Sequence, residues 1–385
     1  MRSESGRARA LQRSEIRVLF DAALRHPGAI RLEVGEPSFT TPDHVIDAAM
    51  EAAKAGFTKY GPNGGLASLR ELLAAKVAKV DGYEVHPDQV VVTPGGMSAL
   101  SSAYLALLDP GDEVLLPTPG FPKMDQMVEL FGGHPIFYPL FAMEGFLPDL
   151  ETLEAAITPR TKVLFVNTPA NPTGAVFPPA LMEGLVELCR KYDLWLLSDE
   201  VYDELILDEG LGHTAAARFD EDGRVLTVYS FSKVYAMTGW RVGYAVGSPE
   251  LAATLRKLQE PLVSCPSTVS QKAAEAALTG PRRPFDEMLD AYRRRRQAAL
   301  TASSTAGIKA VPSQGTLYML LDISDWNGSS LDFALALLEK RGVSVAPGIV
   351  FGPAGEGWAR ISLAADDDQI TEGIGRIGDF LRKRA

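Results

Sequence analysis

From about residue 90 the chain alternates short, continuous apolar runs with stretches of helical period. The runs are VVVT (90–93), EVLLP (113–117), PIFYPL (135–140), KVLFVN (162–167), LWLLSD (194–199), VLTVYSFS (225–232) and WRVGYAVG (240–247). A strand with one face in water alternates apolar and polar residues. Most of these runs do not, which predicts strands buried on both faces of a largely parallel sheet. Between them, SALSSAYLALL (98–108) and PALMEGLVELCRKYD (179–193) carry apolar residues at helical spacing. The expected architecture is α/β, with a mostly parallel seven-stranded sheet sandwiched by helices.

The far end of the chain has a different rhythm. A long helix is expected over DEMLDAYRRRRQAALTAS (286–303), then an apolar run, TLYMLLDI (316–323). A second helix follows at LDFALALLEKRG (331–342), then VSVAPGIVF (343–351) and WARISLAA (358–365). The amphipathic DQITEGIGRIGDFLRK (368–383) predicts a terminal helix. This mixture predicts a smaller α+β domain built from residues 285–385 together with 1–45, beside a large domain over 46–284. The four arginines at 293–296 read as the solvated and interdomain faces of the long helix.

Composition narrows the function. The chain has 385 residues and a formal net charge of −11, which argues against nucleic acid as the main partner. No apolar run reaches the ~20 residues of a membrane helix. Two cysteines, Cys189 and Cys265, make no disulfide framework and have no metal-ligand spacing, and the five histidines include no HExxH pair. The first residues, MRSESGRARALQRSEI, lack the apolar centre of a secretory signal, and Glu4 and Glu15 argue against a transit peptide. The expectation is a cytoplasmic protein in a reducing compartment.

Four strand ends carry candidate chemistry. In VVVTPGGMSAL (90–100) a buried strand runs through Gly95 and Gly96 into a helix. That turn offers free backbone N–H groups and the positive end of a helix dipole, which suit a phosphate. It is neither a Walker loop nor GxGxxG. In LWLLSDEVYDEL (194–205) Asp199 ends a strand, where open α/β sheets bind their ligands, although an Asp there also serves as a plain helix cap. Tyr202 follows one helical turn later. NTPANPTG (167–174) is a strand end rich in turn formers. In SFSKVYAMTGWRVGY (230–244), Ser230 and Ser232 flank Lys233, with Arg241 eight residues on. A lysine so placed can form a Schiff base, and a nearby arginine can hold a phosphate. Taken singly, each also reads as an ordinary cap, turn or surface charge. Taken together, a phosphate turn, a carboxylate, a tyrosine and a lysine at carboxyl ends of strands fit one ligand, pyridoxal 5'-phosphate.

With these residues in place, the chain resembles the class I/II aminotransferases of the aspartate aminotransferase superfamily, fold-type I pyridoxal-phosphate enzymes. The likeness runs from about residue 14 onward. It rests on SFSKVYAMTGWRVG with RLEVGEPSFTTP, KYGPNGGLASLRELLA, NTPANPTG, SDEVYDEL and WARISLA, in order and spacing. The resemblance implies that Lys233 carries the cofactor as a Schiff base and later moves the substrate's Cα proton. It implies that Asp199 pairs with the pyridine nitrogen and that Tyr202 and Asn171 bind the phenolic oxygen. Gly95 forms the phosphate turn, and the amides of Gly96 and Met97 bind phosphate with Ser230, Ser232 and Arg241. Phe121 stacks on the ring. Tyr60 reaches the partner subunit's cofactor, so a homodimer with shared sites is expected. Arg360 grips the substrate α-carboxylate and Gly35 lines the substrate loop. Met97 stands where some members preferring acidic substrates carry a lysine, and Met124 where a second aromatic is common. The latter suggests an adaptable, more apolar pocket.

The implied activity is transfer of an amino group between an L-amino acid and a 2-oxo acid by ping-pong half reactions. A pyridoxal-phosphate-dependent carbon–sulfur β-lyase of the same fold is the alternative, because the lysine and aspartate chemistry is shared. A transcription regulator on this fold disagrees with the acidic charge, and a nicotinamide dehydrogenase with the missing GxGxxG.

Overall fold

The seven apolar runs pair into one sheet in a computed structural model that describes residues 4–11 and 15–382. Residue 14, where the resemblance begins, and Lys383, the end of the expected terminal helix, lie outside the described residues. The strands are β1 (Val90–Thr93), β2 (Glu113–Thr118), β3 (His134–Pro139), β4 (Thr161–Asn167), β5 (Trp195–Asp199), β6 (Val225–Ser230) and β7 (Gly243–Val246). Their spatial order is β1-β7-β6-β5-β4-β2-β3. Strand β7 runs antiparallel to both neighbours, and every other pairing is parallel. Strand β4 shows why the runs are continuous. Val163 and Phe165 pack on one face with Leu116, Leu197 and Val228. Leu164 and Val166 pack on the other with Leu115 and Leu196. Both faces are covered by helices, so neither parity of side chain meets water.

Two runs yield shorter strands than their hydrophobicity predicts. VLTVYSFS yields a strand only to Ser230, because the Ser230 side chain accepts from the Ser232 N–H at 3.1 Å and starts a one-turn helix, Phe231–Val234. WRVGYAVG yields a strand only from Gly243. Thr238–Trp240 is a 3-10 turn and Arg241 closes it at φ 54°, a left-handed conformation outside any strand.

The remaining elements build beside the large sheet. Strands β8 (Tyr318–Asp322), β9 (Ala346–Pro347) and β10 (Trp358–Ser362) form an antiparallel sheet in the order β9-β10-β8. The helix Asp367–Arg382 buries Ile370, Ile374 and Ile377, one stripe at helical spacing. The N-terminal segment joins this part through its backbone. Ile30–Arg31 lies parallel to Val343–Ser344, and the Ser362 N–H donates to the Leu32 carbonyl at 2.8 Å.

The arginine run sits on the helix Arg283–Ala306. Arg294 stays at the surface with Asp367, whereas Arg295 is buried and donates to Asp367, Ser38 and the Leu363 carbonyl. Arg296 reaches the Ser313 carbonyl at 2.8 Å and pairs with Asp208. The run thus ties separate parts of the chain together.

Candidate active site

Strand register brings the first residues together. Asn167, the last residue of β4, lies beside Asp199, the last of β5. The Asn167 side chain donates to the Asp199 carbonyl at 2.9 Å and accepts from the Asn171 N–H at 2.7 Å. A cavity of about 430 Å³ opens at these strand ends, lined by Gly35, Gly96, Met97, Phe121, Asn171, Asp199, Tyr202, Ser230, Ser232, Lys233, Arg241 and Arg360 among others. These twelve expected site residues therefore meet in one place. Gly95 lies just behind the wall. It holds φ 83° at the helix start, and a Cβ there would sit 2.4 Å from Nη2 of Arg241, so only glycine lets the guanidinium lie against the turn. Tyr60 is 90 % exposed and does not reach this chain's cavity.

Asp199 is 3 % exposed. Burial pushes its carboxyl up to about 7, opposed by the Val201 N–H at 3.4 Å and reinforced by the neighbouring Glu200 charge. A carboxyl in that state calls for a positive partner in the cavity. Lys233 sits on the one-turn helix after β6 and donates from Nζ to the Gly35 carbonyl. The Arg241 Nη1 donates to the Thr238 carbonyl at 2.7 Å.

The far wall is built around Arg360, which is 3 % exposed on β10. Its Nη1 donates to Asn171 Oδ1 at 3.1 Å and its Nη2 to the Glu33 carbonyl at 2.8 Å. Its Nε is buried without a hydrogen-bond partner. Burial lowers its basicity from the ordinary arginine value. The guanidinium lies over the Tyr318 ring, 4.1 Å from the centroid. A buried cation with N–H donors still unengaged, Nε–H among them, is a ready holder for an anion.

Several residues of the site were not foreseen. Tyr318 is one: its hydroxyl stands 3.4 Å from that of Tyr202 and 3.3 Å from the Gly35 carbonyl. Burial opposes its ionisation, yet the charges of Lys233 and Arg360 hold its hydroxyl below the ordinary tyrosine range. A Cβ at Gly35 would meet that hydroxyl at 2.6 Å, which gives the glycine in GEP a steric reason. Asn167, Val201, Thr238, Ile16 and Phe20 also line the cavity. Asn167, Val201 and Thr238 lie inside motifs already singled out but were given no role there, and Ile16 and Phe20 read as ordinary helix positions in their own segment.

The expectation that Met124 shapes the pocket is overturned. Met124 is 3 % exposed and packs into the core with Leu116, Val128 and Phe165. It opens the helix Met124–Leu130 after Lys123 at φ 69° and does not line this cavity, although it lines a neighbouring one that shares Phe121 and Pro122. Among the described residues, Asp81, Glu200 and His213 bring ligand atoms within 4.8 Å of one another. That group lies behind the cavity wall, with Glu200 Oε2 already bonded to His213 Nε2 at 2.7 Å.

A mostly parallel sheet with a lysine, a buried carboxylate and a glycine turn at its carboxyl edge is the arrangement of an α/β enzyme whose site suits a phosphate-bearing cofactor. The family model for aminotransferase class I and II matches residues 27–377. The chain is 39 % identical to an aspartate/prephenate aminotransferase of Thermus thermophilus, over 99 % of each chain. It is 35 % identical to an aromatic-amino-acid aminotransferase of Thermococcus litoralis, over 99 % of this chain and 98 % of that one. The solved aspartate aminotransferase from Thermus thermophilus with maleate superposes with a TM-score of 0.94 at 38 % identity, covering 98 % of this chain and 100 % of that one. The chain belongs to the class I and II aminotransferase family, and it is an aminotransferase that acts on an amino acid and a 2-oxo acid. Members of this family depend on pyridoxal phosphate. The lyase alternative has no relative among those named here.

Proposed function

We propose that this chain binds pyridoxal 5'-phosphate in the cavity at the carboxyl ends of β1, β5 and β6 and runs both half reactions of transamination there. The observation that carries the reading is that a buried Asp199, Lys233 and Gly96 line one cavity, with Gly95 just behind its wall. The donor set fits the group. Asp199 supplies the negative charge that a pyridine nitrogen needs to stay protonated. The Gly96 and Met97 amides, Ser230, Ser232 and Arg241 suit the phosphate, and Tyr202 and Asn171 suit the phenolic oxygen. Phe121 offers a face for the ring. When bound, the group supplies an electron sink that makes the substrate Cα–H acidic.

The chain's own residues do the rest. Arg360 receives the α-carboxylate, drawing on its unpaired Nε–H and on the bond that Nη1 now makes to Asn171. That anchor sets which Cα substituent faces Lys233. Lys233 Nζ takes the proton from Cα as general base and later returns it as general acid. Tyr318, bonded toward Gly35 and beside Tyr202, orders the wall between the lysine and the arginine.

The same reading extends to assembly. The exposed Tyr60 lies between the helices Asp43–Lys54 and Ala67–Lys76, and a homodimer in which it reaches the partner's phosphate accounts for so large an exposed aromatic. A division into residues 46–284 and 1–45 with 285–385 accords with the two sheets. A cytoplasmic setting accords with two free cysteines, and no helix among the described residues is long and apolar enough to cross a membrane.

The test is the visible spectrum of the purified protein, given pyridoxal phosphate and then single L-amino acids without oxo acid. The expected result is a band that fades with one oxo acid formed per site, stops there, and returns on adding a 2-oxo acid. Continued release of ammonia with an unchanged band would refute transamination. No band in the wild type would refute the cofactor assignment.

A further inference from the structure

Behind the cavity wall lies a group of ionisable side chains that the reaction does not use. Asp81 ends the π-helical turn Val77–Asp81, which continues the helix Ala67–Lys76. Glu200 follows directly on β5, and His213 comes just after the exposed segment 209–212. One ligand atom from each of the three lies within 4.8 Å of the others. Their side chains are buried, with that of His213 only 3 % exposed. All three belong to one chain, and none lines the cofactor cavity.

The charges around the group do not balance. Lys76 is engaged by Asp203, and Arg282 by Glu204 at 2.6 Å. That leaves two buried carboxylates, Asp81 and Glu200, with His213 between them. Glu200 has its partners. Its Oε1 accepts from the Ser198 hydroxyl at 2.7 Å and the Ala216 N–H at 3.2 Å. Its Oε2 accepts from the Tyr229 hydroxyl at 3.3 Å and bonds His213 Nε2 at 2.7 Å. Asp81 is different. Neither carboxylate oxygen has a hydrogen-bond partner, and neither does His213 Nδ1. The ion pair from Asp81 to Lys76 Nζ is 3.9 Å long, and Asp203 holds that ammonium more closely.

A carboxylate stripped of water and of N–H or O–H donors is costly unless a cation faces it. Two carboxylates and one imidazole are the oxygen and nitrogen donors of a borderline divalent ion, whose two charges match theirs. We propose that Asp81, Glu200 and His213 bind one divalent transition-metal cation of the Zn²⁺ type. The ion fastens the turn 77–82 and the segment 209–213 onto the end of β5. It takes lone pairs from the imidazole and the carboxylates, and the hydrogen bond between His213 and Glu200 gives way to it. Gly82 and Gly212, each next to a ligand, are exposed, so the approach runs from the surface and not through the cofactor cavity. The inference stands independently of the aminotransferase reading.

The experiment takes the cofactor-loaded enzyme through dialysis against a chelator and then against micromolar zinc chloride. Elemental analysis should find about one zinc per chain, the count of a single three-ligand site. The melting temperature should rise with zinc concentration, and the visible cofactor band should stay unchanged. X-ray absorption at the zinc edge should show one imidazole nitrogen and carboxylate oxygens at about 2.0–2.2 Å. Asp81→Asn and His213→Gln should each weaken zinc binding by ~10²-fold or more, at least what loss of an outer-shell partner costs. Zinc well below one per chain in the parent enzyme overturns the proposal. Unchanged binding in either variant that retains the cofactor also overturns it and marks an adventitious ion only. Should neither variant fold, the parent enzyme decides, because a zinc spectrum without an imidazole contribution overturns the assignment by itself.

Discussion

Asp199→Asn should strengthen the cofactor-free protein while disabling the loaded enzyme. Without a cationic ligand, burial holds the Asp199 carboxyl at about 7, against 3.8 in the unfolded chain. The folded form therefore keeps a proton that the unfolded chain has already lost. Stability is unaffected below the unfolded value and falls as pH rises toward the folded one. The loss reaches about 2 kcal/mol at pH 5 and about 4 kcal/mol at pH 8, because each tenfold difference in proton affinity carries about 1.4 kcal/mol. Asparagine keeps the shape and cannot ionise, so it removes the penalty. Thermal unfolding of cofactor-free wild type and Asp199→Asn, compared at pH 4, 5 and 8, measures it. The variant should melt at nearly the wild-type temperature at pH 4 and increasingly above it at pH 5 and 8. With cofactor bound, the ring nitrogen loses its counter-charge, and turnover should fall by ~10²-fold or more, as for removal of one preorganised electrostatic partner. A variant that melts below wild type at pH 8 would refute the reasoning, since Asp199 would then be an ionised and well-paired structural carboxylate.

Lys233→Ala should bind cofactor without a covalent link, seen as no mass increase after borohydride reduction, and should lose at least ~10³-fold in turnover with loss of the general base. Arg360→Lys replaces a planar fork by a point charge and should lower kcat/KM for amino acids by roughly 10²-fold while leaving cofactor affinity within a few-fold. Gly95→Ala places a methyl against Arg241 and a side chain at positive φ, so cofactor affinity measured by fluorescence titration should fall about tenfold. Mixing Lys233→Ala with Tyr60→Ala subunits should restore activity above either variant alone, because one site of the mixed dimer draws an intact lysine and an intact tyrosine from different chains. No restoration after subunit exchange would argue against shared sites.

The chemistry of this protein was legible in the sequence because it sits at strand ends. A parallel sheet buried on both faces produces continuous apolar runs, and whatever follows each run is delivered to the same edge. Lys233, Asp199 and Gly96 are each the sequel to such a run, so their convergence follows from one dimensional patterning plus one rule of topology. The small-domain residues were reached differently. Arg360 was found by family resemblance, since its own segment reads as an ordinary apolar strand.

What the sequence by itself determined is the set of elements and the edge at which the cavity forms. These depend on local hydrophobic period and on turn residues, which act within a few positions. The tertiary structure alone decided the rest. It brought Tyr318 on β8 to Tyr202 and Gly35, though the three are far apart in the chain. It packed Met124 into the core and placed Ile16 and Phe20 in the lining of the cavity. The physical reason is that a side chain's direction at a helix start or a loop is set by the packing of the segments around it. That packing is a sum over many distant contacts, and no single stretch of sequence carries it.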